Sequence, residues 1–224
     1  MMKPILHYGL LASIFLLLEG CTSDSHMAYQ MFQDALIKAP DATMSDAQLA
    51  QIPYSLTYIR LGDEPRAMVV LAKVSGPERV WISSNKESLV TRYGRIIRTE
   101  HLQDANISNI TFDRHDPLAD GLDGLAKANY KASGYVDMMP GYQYGLPFQT
   151  HYTVKGTVQQ NIANHAKQLI QVDEDYVIPA LNYHTVNHYW LDQHGLVWKS
   201  VQRPIPTLPP FTLTLLKPFQ RDLQ

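Results

Sequence analysis

The sequence predicts a mainly β domain with an N-terminal helix, built as a curved antiparallel sheet or a partly closed β-barrel-like body. Three observations carry this. Apolar and polar residues alternate with a period of two from Tyr54 onward, Gly62, Gly76 and Gly94 break that alternation at intervals, and a helical apolar stripe is confined to the stretch before Pro40.

The helix comes first. Ala28, Met31, Phe32, Ala35, Leu36 and Ala39 recur at three- and four-residue spacing within Ser23 to Ala39, and Pro40 ends the run. Ser45-Asp46-Ala47-Gln48 then has the form of a capping box, in which the Ser45 hydroxyl and the Gln48 amide serve otherwise unpaired backbone groups, opening a short helix that ends at Ile52 before Pro53.

The strands follow. Leu56, Tyr58 and Arg60 take one face of the first, and Thr57, Ile59 and Leu61 the other. Gly62-Asp63-Glu64-Pro65 turns the chain into the apolar run Ala67 to Ala72, and Gly76-Pro77 turns it again into Arg79 to Ser83, with Trp81 as the large side chain. Leu89 to Arg92 and Ile96 to Thr99 flank Tyr93-Gly94-Arg95, a hairpin whose glycine is suited to positive φ. Residues 54 to 99 are therefore expected to form a meander. Later strands are expected at Tyr130 to Val136, Gln149 to Val158, Ala166 to Val172, Tyr183 to Leu191, Leu196 to Val201 and Phe211 to Leu216. Asp113 to Gly124, with four aspartates, Pro117 and two glycines, reads as an irregular acidic loop, and Pro204, Pro206, Pro209 and Pro210 impose an extended connector.

The first twenty residues read as an address. Lys3 precedes an apolar run from Leu10 to Leu18 that is much too short for a spanning helix of about 20 residues, and Leu18-Glu19-Gly20-Cys21 resembles a lipoprotein processing box. Residues 1–20 are thus expected to be a signal peptide and 21–224 a single β-rich periplasmic lipoprotein domain. Cys21, the sole cysteine of the chain, would carry a diacylglycerol and a further acyl chain such as palmitate on the new amino terminus, which together anchor durably in membrane lipid. Glu19 departs from the small or uncharged residue usual at that position. Thr22, where an aspartate would favour retention at the inner membrane, points to the periplasmic face of the outer membrane.

Composition excludes several functions. Nineteen basic and 21 acidic residues give a net charge of −2, and without a run of Lys or Arg no nucleic-acid partner is expected. His184 and His188 share a strand face but stand roughly 13 Å apart, too far for one ion, so no metal and no cofactor is expected. Asp113, Asp116, Asp120 and Asp123 lack the spacing of the helix-loop-helix calcium site, and no Gly-x-Ser-x-Gly elbow or phosphate-cradling glycine loop occurs. No catalytic residue is assigned and no enzymatic activity is expected. The candidates for ligand or partner contact are Tyr93 and Arg95 at the hairpin tip, and Tyr142, Tyr144, Phe148 and Tyr152 among glycines and prolines that present rings on loops.

Trp81 to Asn85, Leu89 to Thr99, and the later Tyr189-Trp190-Leu191-Asp192, Gly195-Leu196-Val197, Ser200, Gln202 and Pro204 resemble the blocks of the YjbF/GfcB lipoprotein family. The resemblance covers nearly all of the mature chain and is weakest over Asp113 to Lys131 and over the connector after Arg203. It implies an association with group 4 capsule or other exopolysaccharide production, no established enzymatic activity, and an antiparallel sheet wrapped into a barrel-like shape with helices against it. Three expectations of function follow. The first is a non-enzymatic envelope lipoprotein accessory to capsule or exopolysaccharide assembly or export, with polymer or export-machinery proteins as partners. The second is a carrier enclosing an acyl chain or lipid-linked sugar in an apolar pocket lined by residues such as Met68, Val70 and Trp81. The third is a polysaccharide-modifying enzyme.

Overall fold

Ser45 does what its position predicts: its hydroxyl accepts from the Gln48 amide at 3.3 Å while the Gln48 side chain accepts from the Ser45 amide at 2.9 Å, starting α1 (Asp46–Gln51). These details come from a computed structural model, which describes residues 40–125 and 130–223; the expected helix over Ser23 to Ala39 and the expected anchor Cys21 lie outside the described residues. Leu49 and Ile52 pack on Leu56, Tyr58 and Leu216, the outward side of the first and last strands. Pro40–Gln224 makes one compact unit.

The described residues form one twelve-stranded sheet. Its first arm is β1 (Leu56–Leu61), β2 (Ala67–Ser75), β3 (Glu78–Ile82), β4 (Ser88–Arg92) and β5 (Arg95–Glu100), the predicted meander. Its second arm is β6 (Asn106–Phe112), β7 (Lys131–Met139), β8 (Gln143–Ile162), β9 (His165–Ile178), β10 (Tyr183–Leu191), β11 (Val197–Gln202) and β12 (Phe211–Lys217). Every pairing is antiparallel, and β12 returns to pair with β1, joining the two arms. The sheet edges are then β5 and β6, which are consecutive in sequence. Their side chains bridge the gap: the Ile107 amide donates to Thr99 Oγ1 at 2.9 Å, and Asn106 Oδ1 accepts from the Leu102 amide at 3.2 Å. The result is a nearly closed barrel, which removes most of the exposed sheet edge.

The β4–β5 hairpin turns through two residues, Tyr93 (φ 52°) and Gly94 (φ 82°), the double positive φ of a tight antiparallel reversal. Its tip is folded against β11, because a Cβ on Gly94 would stand 2.5 Å from Val197 Cβ. Two stretches differ from expectation. The segment Asn106–Phe112, not expected as a strand, is β6. Within Asp113 to Gly124, Asp116 caps a 3-10 turn (Pro117–Asp120) leading into α2 (Gly121–Leu125), which buries Leu118 and Leu125 against β8 to β10. The proline connector is non-helical, but it is not extended throughout as expected: it turns at Pro206 and Thr207, the Leu208 amide donating to the Ile205 carbonyl at 3.4 Å, and Ile205 and Leu208 plug the main core beside Phe211.

Candidate functional site

The inward face of β9 carries Val172, Glu174, Tyr176 and Ile178, an apolar row with one acid in it. Register places Tyr152 of β8 and Asn187 of β10 directly opposite Glu174 on its two sides. Glu174 Oε1 accepts from Thr150 Oγ1 at 2.8 Å and from the Tyr152 hydroxyl at 2.6 Å. Its Oε2 accepts from Asn187 Nδ2 at 2.9 Å and the Tyr189 hydroxyl at 3.0 Å. Arg95 arrives from the far arm of the sheet. Being the first residue of β5 on a tip pressed against β11, it points into the barrel and donates through Nη1 to Glu174 Oε2 at 3.0 Å, through Nε to Asp116 Oδ2 at 2.7 Å and through Nη2 to the Tyr152 hydroxyl. Its guanidinium lies over Phe112 (4.9 Å to the ring centre) and Tyr189 (5.5 Å). Gln202 closes the set, accepting from the Ile96 amide and donating to the Gly94 carbonyl and to Ser200 Oγ.

The charges are locked by burial. Arg95, Asp116 and Glu174 are all 5 % exposed or less. Burial works against the Arg95 charge, but Asp116 and Glu174 outweigh it and hold the guanidinium protonated well above its ordinary range. Burial would likewise raise Glu174, yet the Arg95 charge and hydrogen bond, with Tyr152 and Asn187, bring it below its ordinary value. Asp116 has fewer partners, so burial wins over Arg95 and its carboxyl is raised. The Tyr152 and Tyr189 hydroxyls are pushed well up by burial first, against the pull of Arg95. All three guanidinium nitrogens and both Glu174 oxygens are occupied by protein partners. The cluster is a buried tie between the two arms of the sheet.

Two cavities flank this centre toward opposite ends of the same strands. One, about 270 Å3, is walled by Thr57 of β1, Trp81 of β3, Thr91 of β4, Ser200 of β11 and Leu213 and Leu215 of β12, with Tyr93 and Ala119 on its outer side. The other, about 410 Å3, has Ile59, Leu61, Leu89 and Phe211 beneath Glu64, Glu87 and Asp104. Of the residues expected to line a carrier pocket, only Trp81 lines either cavity. Met68 packs with the outward cluster under α1, and Val70 is 38 % exposed.

The expected contact residues separate into two groups. Tyr93, Tyr142 and Tyr144 are exposed, at 42 %, 73 % and 60 %. Arg95, Phe148 and Tyr152 are buried, so the reading of Arg95 as an outward contact is corrected: it pairs with Asp116 and Glu174. Tyr152 joins it in the buried centre, while Phe148 packs edge-on against Phe112 at 5.1 Å. Eight residues of β8, about 25 Å of extended chain, separate Tyr144 from Tyr152. The acidic stretch scatters: Asp116 is in the centre, Asp113 accepts from Ser133 and Asp120 pairs with His115. His184 and His188 each meet one aspartate, Asp175 and Asp173. Glu174, Asn187 and Thr150 were not singled out from sequence, and Gln202 was named only as part of the resemblance, although an acid in an otherwise apolar inward row was a visible signal.

The fold and the centre define a class: a twelve-stranded, nearly closed antiparallel β-barrel-like protein whose two arms are tied by a buried arginine between two acids. Residues 29–216 match the family described as group 4 capsule polysaccharide lipoprotein gfcB, YjbF, and the chain belongs to that family. It is 35 % identical to the lipoprotein GfcB of Escherichia coli K12 over 114 residues, about half of each chain (50 % and 53 %). With the lipoprotein YjbF of the same organism it shares 26 % identity over 210 residues, 91 % of this chain and 94 % of that one. The crystal structure of the hypothetical lipoprotein YmcC from E. coli K12 superposes with a TM-score of 0.70 at 25 % identity, over 84 % of this chain and 95 % of that one.

Proposed function

We propose that this protein is a non-catalytic lipoprotein, anchored through Cys21 on the periplasmic face of the outer membrane, that serves capsule or exopolysaccharide assembly or export by binding. The observation that carries the reading is the state of its ionisable centre. Arg95, Asp116 and Glu174 are buried and spent on one another, whereas an acid–base pair for sugar-bond cleavage needs carboxyls facing each other across an open cleft. The family description associates the chain with capsule lipoproteins, which gives the binding its context.

A carrier for acyl chains has less support. The barrel interior is filled by the main apolar cluster and the polar centre, leaving two small cavities at its ends. Exposed tyrosines Tyr135, Tyr142 and Tyr144 on the β7–β8 hairpin suit an external polymer or protein surface better than an enclosed lipid. The test is deletion of the gene in the producing cell, with complementation by the parent chain and by Tyr142→Ala/Tyr144→Ala. Surface polysaccharide should fall on deletion and return with the parent; unchanged polysaccharide on deletion would remove the proposal.

A further inference from the structure

The outward face of β1, β12 and β11 carries polar side chains that the register sets side by side. Thr212 stands opposite Arg60, and Thr214 lies between Tyr58 on one side and Lys199 on the other. Both threonines alternate with Leu213 and Leu215, which pack in the main core, so they project away from it. Arg66 lies over the Tyr58 ring, 4.1 Å from its centre. The β8–β9 hairpin closes one side of this row. Ile162 and Leu169 pack with Trp190 and Trp198, and Ala163 packs in the cluster of Leu56 and Tyr58, which brings the neighbouring Asn161 and Asn164 to the row. Thr43 and Met44 complete the wall of a cavity of about 300 Å3 on the outside of the barrel.

Three cations line this cavity, and among the described residues no acid does. Arg60 is neutralised by Asp41, which stands behind it, and also donates to the Glu64 carbonyl. Arg66 and Lys199 are satisfied differently. Arg66 donates through Nε and Nη2 to the Ala42 carbonyl at 3.0 and 2.7 Å, and Lys199 donates to Gln160 Oε1 at 2.9 Å. A carbonyl or an amide oxygen occupies a donor without cancelling its charge, so the wall keeps a net positive charge. Arg66 Nη1 and the remaining ammonium protons of Lys199 are left to donate. The side chains of Thr212, Thr214, Asn161 and Asn164 make no hydrogen bond with any described residue, and none of the four is buried.

We infer that this outer cavity binds one carboxylate-bearing sugar residue of an acidic polysaccharide, its carboxylate between Arg66 and Lys199 and its ring hydroxyls on Thr212, Thr214, Asn161 and Asn164. The inference rests on the binding role proposed above and gives it a location and a ligand class. Size agrees, since about 300 Å3 is at the small end of the roughly 300–1,000 Å3 of ligand pockets and holds a single ring. The uncommitted hydroxyls and amides favour a polyhydroxylated ring over a bare anion, which would need the cations alone. A shallower hollow shares Asn161 and Asn164 and continues past Gln159 and Ala166, so a polymer has a path out over the hairpin.

The test is a saturation-transfer NMR titration of the full chain in detergent, with methyl β-D-glucuronide, methyl β-D-glucopyranoside and inorganic phosphate as probes. Three variants accompany the parent. Lys199→Met removes a charge and keeps the stem that lies along Trp190. Thr214→Val removes a hydroxyl that holds nothing in the protein, so its melting temperature should match the parent's. Lys131→Met makes the same charge change on β7, away from the cavity. The glucuronide should bind, with the neutral glucoside weaker by about tenfold or more. Lys199→Met should weaken the glucuronide by about tenfold to a hundredfold, as loss of a hydrogen bond to a charged group gives, and Thr214→Val by about threefold to tenfold. Lys131→Met should leave binding unchanged. No glucuronide binding, equal binding of glucoside and glucuronide, unchanged binding in Thr214→Val and Lys199→Met, or displacement by an equal concentration of phosphate overturns the assignment. Surface polysaccharide in the deletion strain separates the two readings: its loss on deletion, with no glucuronide bound, removes the acidic-sugar site alone.

Discussion

Replacing Arg95 by leucine would remove the one cation of the buried centre and leave the Glu174 and Asp116 carboxyls facing each other in the barrel interior. Breaking a buried ion pair from one side costs about 3–5 kcal/mol, and Arg95 serves both acids at once. Against the roughly 5–15 kcal/mol that holds a domain together, this is a large share. At about 2–4 °C per kcal/mol for a chain of this size, the melting temperature should fall by roughly 6–20 °C. The sign of the pH dependence is also determined. In the parent, Glu174 is held below its ordinary value of 4.5, so its stabilisation is present above that pH and is lost as pH falls through the lowered value. In the variant the hydrogen bonds to Glu174 remain but the cation is gone, so burial and mutual repulsion raise both acids above their values in the parent, and protonation relieves the cost. The gap between parent and variant, followed by circular dichroism melts, should therefore be widest near pH 8 and narrow toward pH 5. A variant within 1 kcal/mol of the parent, or a gap that widens on acidification, would refute the account of the centre.

Gly94→Ala should cost about 1–3 kcal/mol, because its Cβ would collide with Val197 at a φ of +82°, while Gly76→Ala, at +54° with nothing within 4 Å, should cost about 1 kcal/mol; urea titration of both reads the difference. Cys21→Ser should abolish labelling by a fatty acid analogue and move the chain out of the membrane fraction, and equal labelling of both chains would count against the anchor. Tyr142→Ala/Tyr144→Ala should leave stability within about 0.5 kcal/mol and reduce the polysaccharide retained by the protein in a pull-down from envelopes; undiminished retention would take the β7–β8 hairpin out of the contact surface.

Much of the first arm was readable from sequence because its alternation is regular and its turns are marked: Gly62, Gly76 and Gly94 all have positive φ. Strand β6 was not, and the reason is local. A bulge between Ile107 and Asn109 shifts the register, so its buried residues Ile107, Ile110 and Phe112 are spaced by three and then two, which hides the period. The bulge between Val154 and Gly156 similarly masked the length of β8. Arg95 was misread because a charged residue beside a hairpin glycine is usually solvated. What turns it inward is contact of Gly94 with Val197, about a hundred residues away in sequence, and partners on β9 and in the Asp116 turn. The four aspartates after β6 looked like a solvated run for the same reason: Asp116 is buried only because Arg95 is there to meet it. The tying residues come from β5, β8, β9, β10 and β11, and only the fold shows that they share one point.

The central claim, binding without cleavage, is tested most directly by size-exclusion chromatography of the producing cell's exopolysaccharide after prolonged incubation with the full chain. The account predicts that the protein co-elutes with polymer whose length distribution is unchanged. Progressive shortening of the polymer, absent with heat-denatured protein, would contradict it.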